Sequence, residues 1–218
     1  GDASSERWSV KPLEDLCKIA RGGSPRPIKA FITNEPDGIN WIKIGDATAS
    51  TKYIYETKQK IKPEGVHRSR MVHDGDFLLS NSMSFGRPYI MKTSGCIHDG
   101  WLVLSDKSGL FTQDYLYLFL GSNAAYRQFD SRASGSTVRN LNIELVRSVE
   151  IPLPSLPEQE RIVAILDEAS ANSAALFRIG EQKLAHLADL KQSLLHKAFT
   201  GELTADSKAV DRSISEVI

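Results

Sequence analysis

Ile151-Pro152-Leu153-Pro154-Ser155-Leu156-Pro157-Glu158-Gln159-Glu160-Arg161-Ile162-Val163-Ala164-Ile165-Leu166-Asp167 decides the architecture of this chain. Ser155 followed three residues later by Glu158 has the form of a capping box. In such a box the hydroxyl accepts the N–H at N3 and the carboxylate takes the N–H of the cap residue. From there the sequence runs without a breaker to Leu194-Leu195-His196-Lys197-Ala198-Phe199-Thr200, where Gly201 supplies the left-handed residue that stops a helix. More than forty residues lie between those marks, a rod of ~65 Å at 1.5 Å per residue. Ordinary globular helices are much shorter, so the segment is expected to be a spacer or a dimerisation element.

Apolar residues recur along it at Ile162, Leu166, Ala169, Leu176, Leu184, Leu187, Leu190 and Leu194. The first four keep an a/d heptad, and the later set resumes in a shifted frame after Gly180, as a stutter produces. Ile165, Phe177, Leu195 and Phe199 widen the stripe. A coiled coil with a second copy is expected, with Gly180 permitting close approach. The competing reading is a helix folded along its own domain.

Upstream the pattern changes to short strands and turns. Trp8–Leu13 opens the fold, and Gly22-Gly23-Ser24-Pro25 is a loop. Trp41–Asp46 reads as a strand ending in a turn, Asp74-Gly75 as a turn ahead of Phe77–Ser80, and Pro88–Met91 and Trp101–Leu104 as further strands. Tyr115–Phe129 reads as one helix. The expected fold is therefore a mixed α/β (α+β) globule over 1–154, a long C-terminal helix over 155–203 forming a coiled coil, and a tail over 204–218.

Of the 218 residues, 41% are hydrophobic and 25% charged, with 27 Lys/Arg against 27 Asp/Glu. Residues 1–155 carry 20 basic against 17 acidic side chains, and 156–218 carry 7 against 10. The excess is clustered. Lys52, Lys58, Lys60, Lys62, Arg68 and Arg70 stand against only Glu56 and Glu64, with Tyr53, Tyr55 and His67 interleaved. Such a segment can follow a phosphate backbone, or simply be a solvated face. Two distant cysteines, Cys17 and Cys96, suggest no disulfide framework and a reducing cytoplasm. No apolar run has the length of a membrane span, and no basic-then-apolar leader opens the chain. Cys96-Ile97-His98 is a lone pair of ligand types, and the histidines show no metal spacing, so no metal and no cofactor are expected. Phosphate- and dinucleotide-binding glycine motifs are absent. Asn81-Ser82-Met83-Ser84-Phe85 lacks the prolines and aromatic of an amino-methyltransferase motif. Pro36-Asp37 with Glu56-Thr57-Lys58 resembles the spacing of metal-dependent nucleases, in which Asp37 and Glu56 would hold Mg²⁺ and Lys58 would steady the attacking water. Pro36-Asp37-Gly38 equally reads as a plain turn.

The helix-opening stretch from Ile151 to Asp167 resembles the conserved helical region of type I restriction–modification specificity subunits. Leu194-Leu195-His196-Lys197-Ala198-Phe199-Thr200-Gly201-Glu202-Leu203 is similar to that helix's end. Trp41–Asp46, Gly75–Ser80 and Ser134-Gly135-Ser136-Thr137-Val138-Arg139-Asn140-Leu141-Asn142 resemble scaffold motifs of its target-recognition domain. The resemblance implies a non-catalytic subunit that reads double-stranded DNA and positions separate methyltransferase and restriction subunits. Members with two recognition domains pair two such helices; this chain has one of each, so a homodimer on a split palindrome is expected. Lys58, Lys60, Lys62, Arg68 and Arg70 are the candidate phosphate contacts. Ser80, Asn81, Ser82 and Arg87 are candidate base readers, because Asn pairs with adenine and Arg with guanine. Arg132, Ser134, Ser136 and Arg139 form a third group. Two alternatives stay open: the nuclease, and a half-subunit that competes with or modulates a full-length specificity chain.

Overall fold

The computed structural model describes residues 8–48, 50–81, 86–133 and 141–203, the side chains of 132 and 133 excepted. It divides into two compact units, one reaching Val163 and the other starting at Ala164.

In the first unit, β1 (Ser9–Pro12) leads through the short helix α1 (Leu13–Leu16) into β2 (Cys17–Arg21). Leu13 and Leu16 are fully buried, anchoring the chain where it enters the core. One five-stranded sheet holds β3 (Ile32–Thr33), β6 (Lys60–Ile61), β4 (Ile39–Ile42), β10 (Gly95–Ile97) and β7 (Arg70–Val72), in that spatial order. A second holds β2, β11 (Trp101–Asp106), β8 (Phe77–Ser80), β9 (Pro88–Met91) and β5 (Tyr53–Ile54). All four residues of β8 and of β9 are buried, which explains why they appear in sequence as apolar runs and not as alternations. Gly75, at φ +89°, makes the turn ahead of β8. Asp76 completes that turn by accepting the His73 N–H at 2.8 Å.

Two expected elements are redrawn. The strand at Trp41–Asp46 is β4, Ile39–Ile42, followed by the short helix α2 (Ile44–Thr48). Asp46 drives the change, since its carboxylate accepts the Lys43 N–H at 2.9 Å and the Lys58 N–H at 3.3 Å. The single helix expected over Tyr115–Phe129 is two, α3 (Gln113–Leu120) and α4 (Asn123–Ala133). Gly121 closes α3, its N–H reaching the Tyr117 carbonyl at 3.0 Å, and the Ser122 hydroxyl accepts the Ala125 N–H at 3.3 Å to start α4. Both helices still share one buried face, Tyr115, Leu116, Leu120, Ala125 and Phe129 lying in the same core cluster.

The unit is closed by its ends. After α5 (Ile143–Arg147), capped by Asn142, β12 (Glu150–Leu153) pairs antiparallel with β1. Helix α6 (Leu156–Thr200) follows, 45 residues long. Its first two turns belong to this unit, with Ile162 and Val163 packed on the core. Gln159 is completely buried. Its Nε2 donates to the Leu110 and Pro154 carbonyls at 2.9 and 3.0 Å, and its Oε1 accepts the Thr112 N–H at 2.8 Å. The expected capping box is not what opens the helix: the Glu158 carboxylate grips Arg161 at 2.7 and 2.8 Å instead of turning back.

In the second unit the helix continues with its apolar stripe exposed, from Leu166 at 46% through Leu176 at 70% to Leu187 at 61%. Leu187, Leu190, Leu194, Leu195 and Ala198 border one apolar groove near its end. Gly201, at φ +81°, stops it as expected. The Thr200 hydroxyl donates to the His196 carbonyl one turn back, at 2.9 Å.

Candidate nucleic-acid interface

The basic run between Lys52 and Arg70 does not form one uniform strip. Lys52 is a structural staple: its ammonium meets Asp114 at 2.6 Å and lies 5.1 and 4.9 Å from the Tyr53 and Tyr117 ring centres. Desolvation opposes its charge, but the hydrogen bond it donates to Asp114 outweighs that cost, together with Tyr53, and raises its pKa. Lys58 and Lys62 are exposed and Lys60 half-buried, around β6. Arg68 and Arg70 are exposed beside β7, at the far side of the same sheet. Three strand spacings separate β6 from β7, roughly 14 Å at 4.8 Å each. Of the five candidate phosphate contacts, Lys60 and Arg70 lie in strands of this sheet, and Lys58, Lys62 and Arg68 flank those strands. Arg68 is held in place, its guanidinium 5.8 Å from the Phe31 ring centre and its Nε donating to His67 at 3.2 Å.

The second candidate group is split by burial. Arg87 is exposed, its guanidinium 5.3 Å from the Tyr89 ring centre. Ser80 and Asn81 are 0% and 3% exposed, so as placed they do not present edges to a base. Asn81 is a pin: its amide donates to the Asp99 carbonyl at 2.9 Å, its N–H to Gly100 at 3.0 Å, and its carbonyl accepts the Leu141 N–H at 2.8 Å. Gly86, at φ +75°, closes the loop where a Cβ would sit 2.9 Å from the Phe129 ring. The anchored base of this loop therefore presents Arg87. Ser82, Ser134, Ser136 and Arg139 lie outside the described residues, as does the side chain of Arg132. Asp37 sits in the turn between β3 and β4, whereas Glu56 and Lys58 follow β5 of the other sheet and border a cavity that Asp37 does not line. Among the described residues no three His, Cys, Asp or Glu side chains come together to hold a metal.

A feature that turn rules reduced to a loop is the groove beside Gly22–Lys29. It encloses about 1140 Å³ between the 24–29 segment, the end of β4 and His98–Asp99. Gly22 is required there, since a Cβ would stand 2.0 Å from the His98 carbonyl oxygen. Asp99 organises the rim: its carboxylate accepts from the Ser24 hydroxyl at 2.7 Å and faces Arg26 at 3.6 Å, and its carbonyl accepts Arg21 Nε at 2.9 Å. The Ser24 bond is the main cause holding the Asp99 carboxyl below its usual range. His98 accepts the Gly100 N–H at Nδ1, 2.9 Å away, which leaves Nε2 to carry the proton of the neutral ring. Burial lowers its pKa, overriding Asp99, which acts the other way. The sequence signal for this site was Arg26 and Lys29 following a Gly-Gly-Ser-Pro loop; the contribution of His98–Asp99 from seventy residues on carried no local signal.

The family model for the type I restriction modification DNA specificity domain matches residues 5–182. The chain is 28% identical over 164 residues to the type I restriction enzyme MjaIX specificity subunit of Methanocaldococcus jannaschii, an overlap of 73% of this chain and 37% of that protein. It is 25% identical over 178 residues to the EcoBI specificity subunit of Escherichia coli, covering 79% of this chain and 37% of the other. Among solved structures, it resembles a chain from a study of complex assembly and conformational transition of the type I R-M system. That match has a TM-score of 0.69 at 26% identity, over 91% of this chain and 47% of that one. The HsdS subunit from Thermoanaerobacter tengcongensis gives 0.65 at 25% identity, over 91% and 46%. The chain thus spans less than half the length of each of these relatives. With an α+β globule leading into a long helix, and a family match over most of its residues, the chain belongs to the type I restriction modification DNA specificity domain family.

Proposed function

We propose that this chain is the non-catalytic sequence-recognition subunit of a type I restriction–modification complex. The globular region, 1–154, binds one half of a bipartite double-stranded DNA target. The helix, 155–203, pairs with that of a second copy, and the homodimer positions methyltransferase and restriction subunits. The observation that carries this reading is the family match to a globule whose helix leaves a long apolar stripe in water. A stripe of that length is costly to leave uncovered. Leu166, Ala169, Leu176, Leu184, Leu187, Leu190 and Leu194 line the proposed seam, whereas Ile162 packs on its own globule. Lys58, Lys60, Lys62, Arg68, Arg70 and Arg87 remain the proposed DNA contacts, with Arg132, Ser134, Ser136, Arg139 and Ser82 as proposals on sequence alone. The reading places the protein in the cytoplasm with DNA; among the described residues no helix is long and apolar enough to cross a membrane.

The test is a map of methylated bases in a methylation-free host that expresses this chain with a cognate modification subunit. A split palindromic motif is expected from a homodimer. An asymmetric motif means that a second specificity chain supplies the other half. Absence of methylation, with both proteins present and folded, refutes the reading and favours the competing half-subunit.

A further inference from the structure

The groove beside Gly22–Lys29 is lined by three cations, Arg26, Lys29 and Lys43, and one carboxylate, Asp99. That carboxylate is already engaged by Ser24 and Arg26. Lys29 and Lys43 have no ion-pair partner among the described residues. Between the cations the wall is apolar, made by Pro27, Ile28 and Ile44. The edge of the groove adjoins the turn that carries Arg68. A Cβ on Gly23 would stand 2.9 Å from the Arg68 carbonyl, a Cβ on Gly65 would stand 3.0 Å from Phe31, and Arg68 lies over that same Phe31 ring.

We propose that this groove seats one sugar–phosphate strand of duplex DNA, with Lys29 and Lys43 meeting phosphates and Pro27, Ile28 and Ile44 lying against deoxyribose. The proposal rests on the DNA-recognition reading above and adds a contact surface to it. The chemistry is that of positioning, not of base reading. Lysines are point charges without a planar fork, and the one fork, Arg26, is committed to Asp99 and 80% exposed at its side chain. An apolar wall offers a base edge no hydrogen bonds but fits a sugar ring. The excess of unpaired positive charge matches a polyanion.

The experiment is a salt titration of the full chain binding a mixed-sequence duplex of about 30 base pairs, by fluorescence anisotropy from ~50 to ~200 mM KCl. The Lys29→Gln/Lys43→Gln variant is expected to lower the slope of log K against log salt by ~1.8 per bound chain, 0.9 per lost phosphate contact, and to bind more than tenfold more weakly. Lys183→Gln/Lys191→Gln, on the long helix, is the control and keeps the parent slope. If the parent binds with a steep slope and the groove variant matches it, the groove proposal is overturned while the recognition reading stands. If the variant loses affinity only for the methylated motif, the groove reads bases and the proposal fails. If it keeps DNA but loses the modification subunit, the groove is a protein-docking site and the proposal fails. If the parent itself shows no salt-dependent DNA binding, the recognition reading falls and takes the groove with it.

Discussion

Gln159 offers a sharp test of how the helix is joined to the globule. Its amide makes three hydrogen bonds inside the fold, two as donor to Leu110 and Pro154 and one as acceptor from Thr112. At a net ~0.5–1.5 kcal/mol each, removing all three costs roughly 1.5–4.5 kcal/mol. Gln159→Ala also leaves the Thr112 N–H, at the cap of α3, without its partner, so we expect about 3 kcal/mol, more than a hundredfold in the folding equilibrium. Gln159→Glu separates hydrogen bonding from volume. It keeps the acceptor for Thr112 but sets a carboxylate against two carbonyl oxygens, which raises its folded pKa above the unfolded ~4.3. A raised folded pKa means that stability is intact below ~4.3 and is lost as pH rises towards the folded value. The Glu variant should therefore fall further below the parent at pH 8 than at pH 5. Urea unfolding followed by tryptophan fluorescence reports this cleanly, because Trp8, Trp41 and Trp101 all precede α6. A loss under about 0.5 kcal/mol for Gln159→Ala, or a pH-independent deficit for Gln159→Glu, would refute the reasoning.

Three further outcomes follow from the same physical arguments. Leu187→Asp or Leu190→Asp, each on the exposed stripe, should halve the mass measured by light scattering, and an unchanged mass refutes the helix-paired dimer. His98 is held below its ordinary pKa by burial, so the unfolded chain takes up the proton first. Stability should decline as pH falls below the unfolded value of ~6.5, and His98→Asn, measured by urea midpoint, should flatten that part of the profile. Burial pushes the Cys17 thiol up to about 12, with Asp106 adding to it, and also raises Cys96. Neither cysteine should react with a disulfide reagent at pH 8 until urea unfolds the chain, and rapid native labelling of either contradicts the packing.

What was legible in the sequence was what local chemistry controls. The long helix announced itself through periodicity and Gly201, and β8 and β9 through apolar runs behind turn residues. The expected capping box is replaced by a pairing of Glu158 with Arg161, one turn on along the same face. Tyr115–Phe129 looked continuous because its apolar face is continuous across Gly121 and Ser122; only the Ser122 hydroxyl shows that a new helix starts. Asn81 and Gln159 were illegible for one reason. A polar side chain on a loop or an amphipathic helix is expected in water, and the carbonyls that hold these two come from Asp99, Leu110 and Pro154. The groove at Gly22–Lys29 was hidden likewise, because half its wall arrives from His98 and Asp99. Of the candidate contacts, the basic residues around β6 and β7 were found by charge clustering, which needs no tertiary knowledge.

The pairing of β1 with β12 has a consequence for how the molecule is made. Ser9 faces Leu153 and Pro12 faces Glu150 across that ladder, and the Leu13 N–H reaches the Val149 carbonyl at 2.8 Å. At ribosomal speeds of about 5–20 residues per second, the first strand therefore waits on the order of ten seconds for its partner. Throughout that interval Val10 and the unpaired backbone of Ser9–Pro12 form an open edge, available to any neighbouring nascent chain. The β1–β12 ladder cannot form until the polypeptide has been synthesised to the threshold of its long helix.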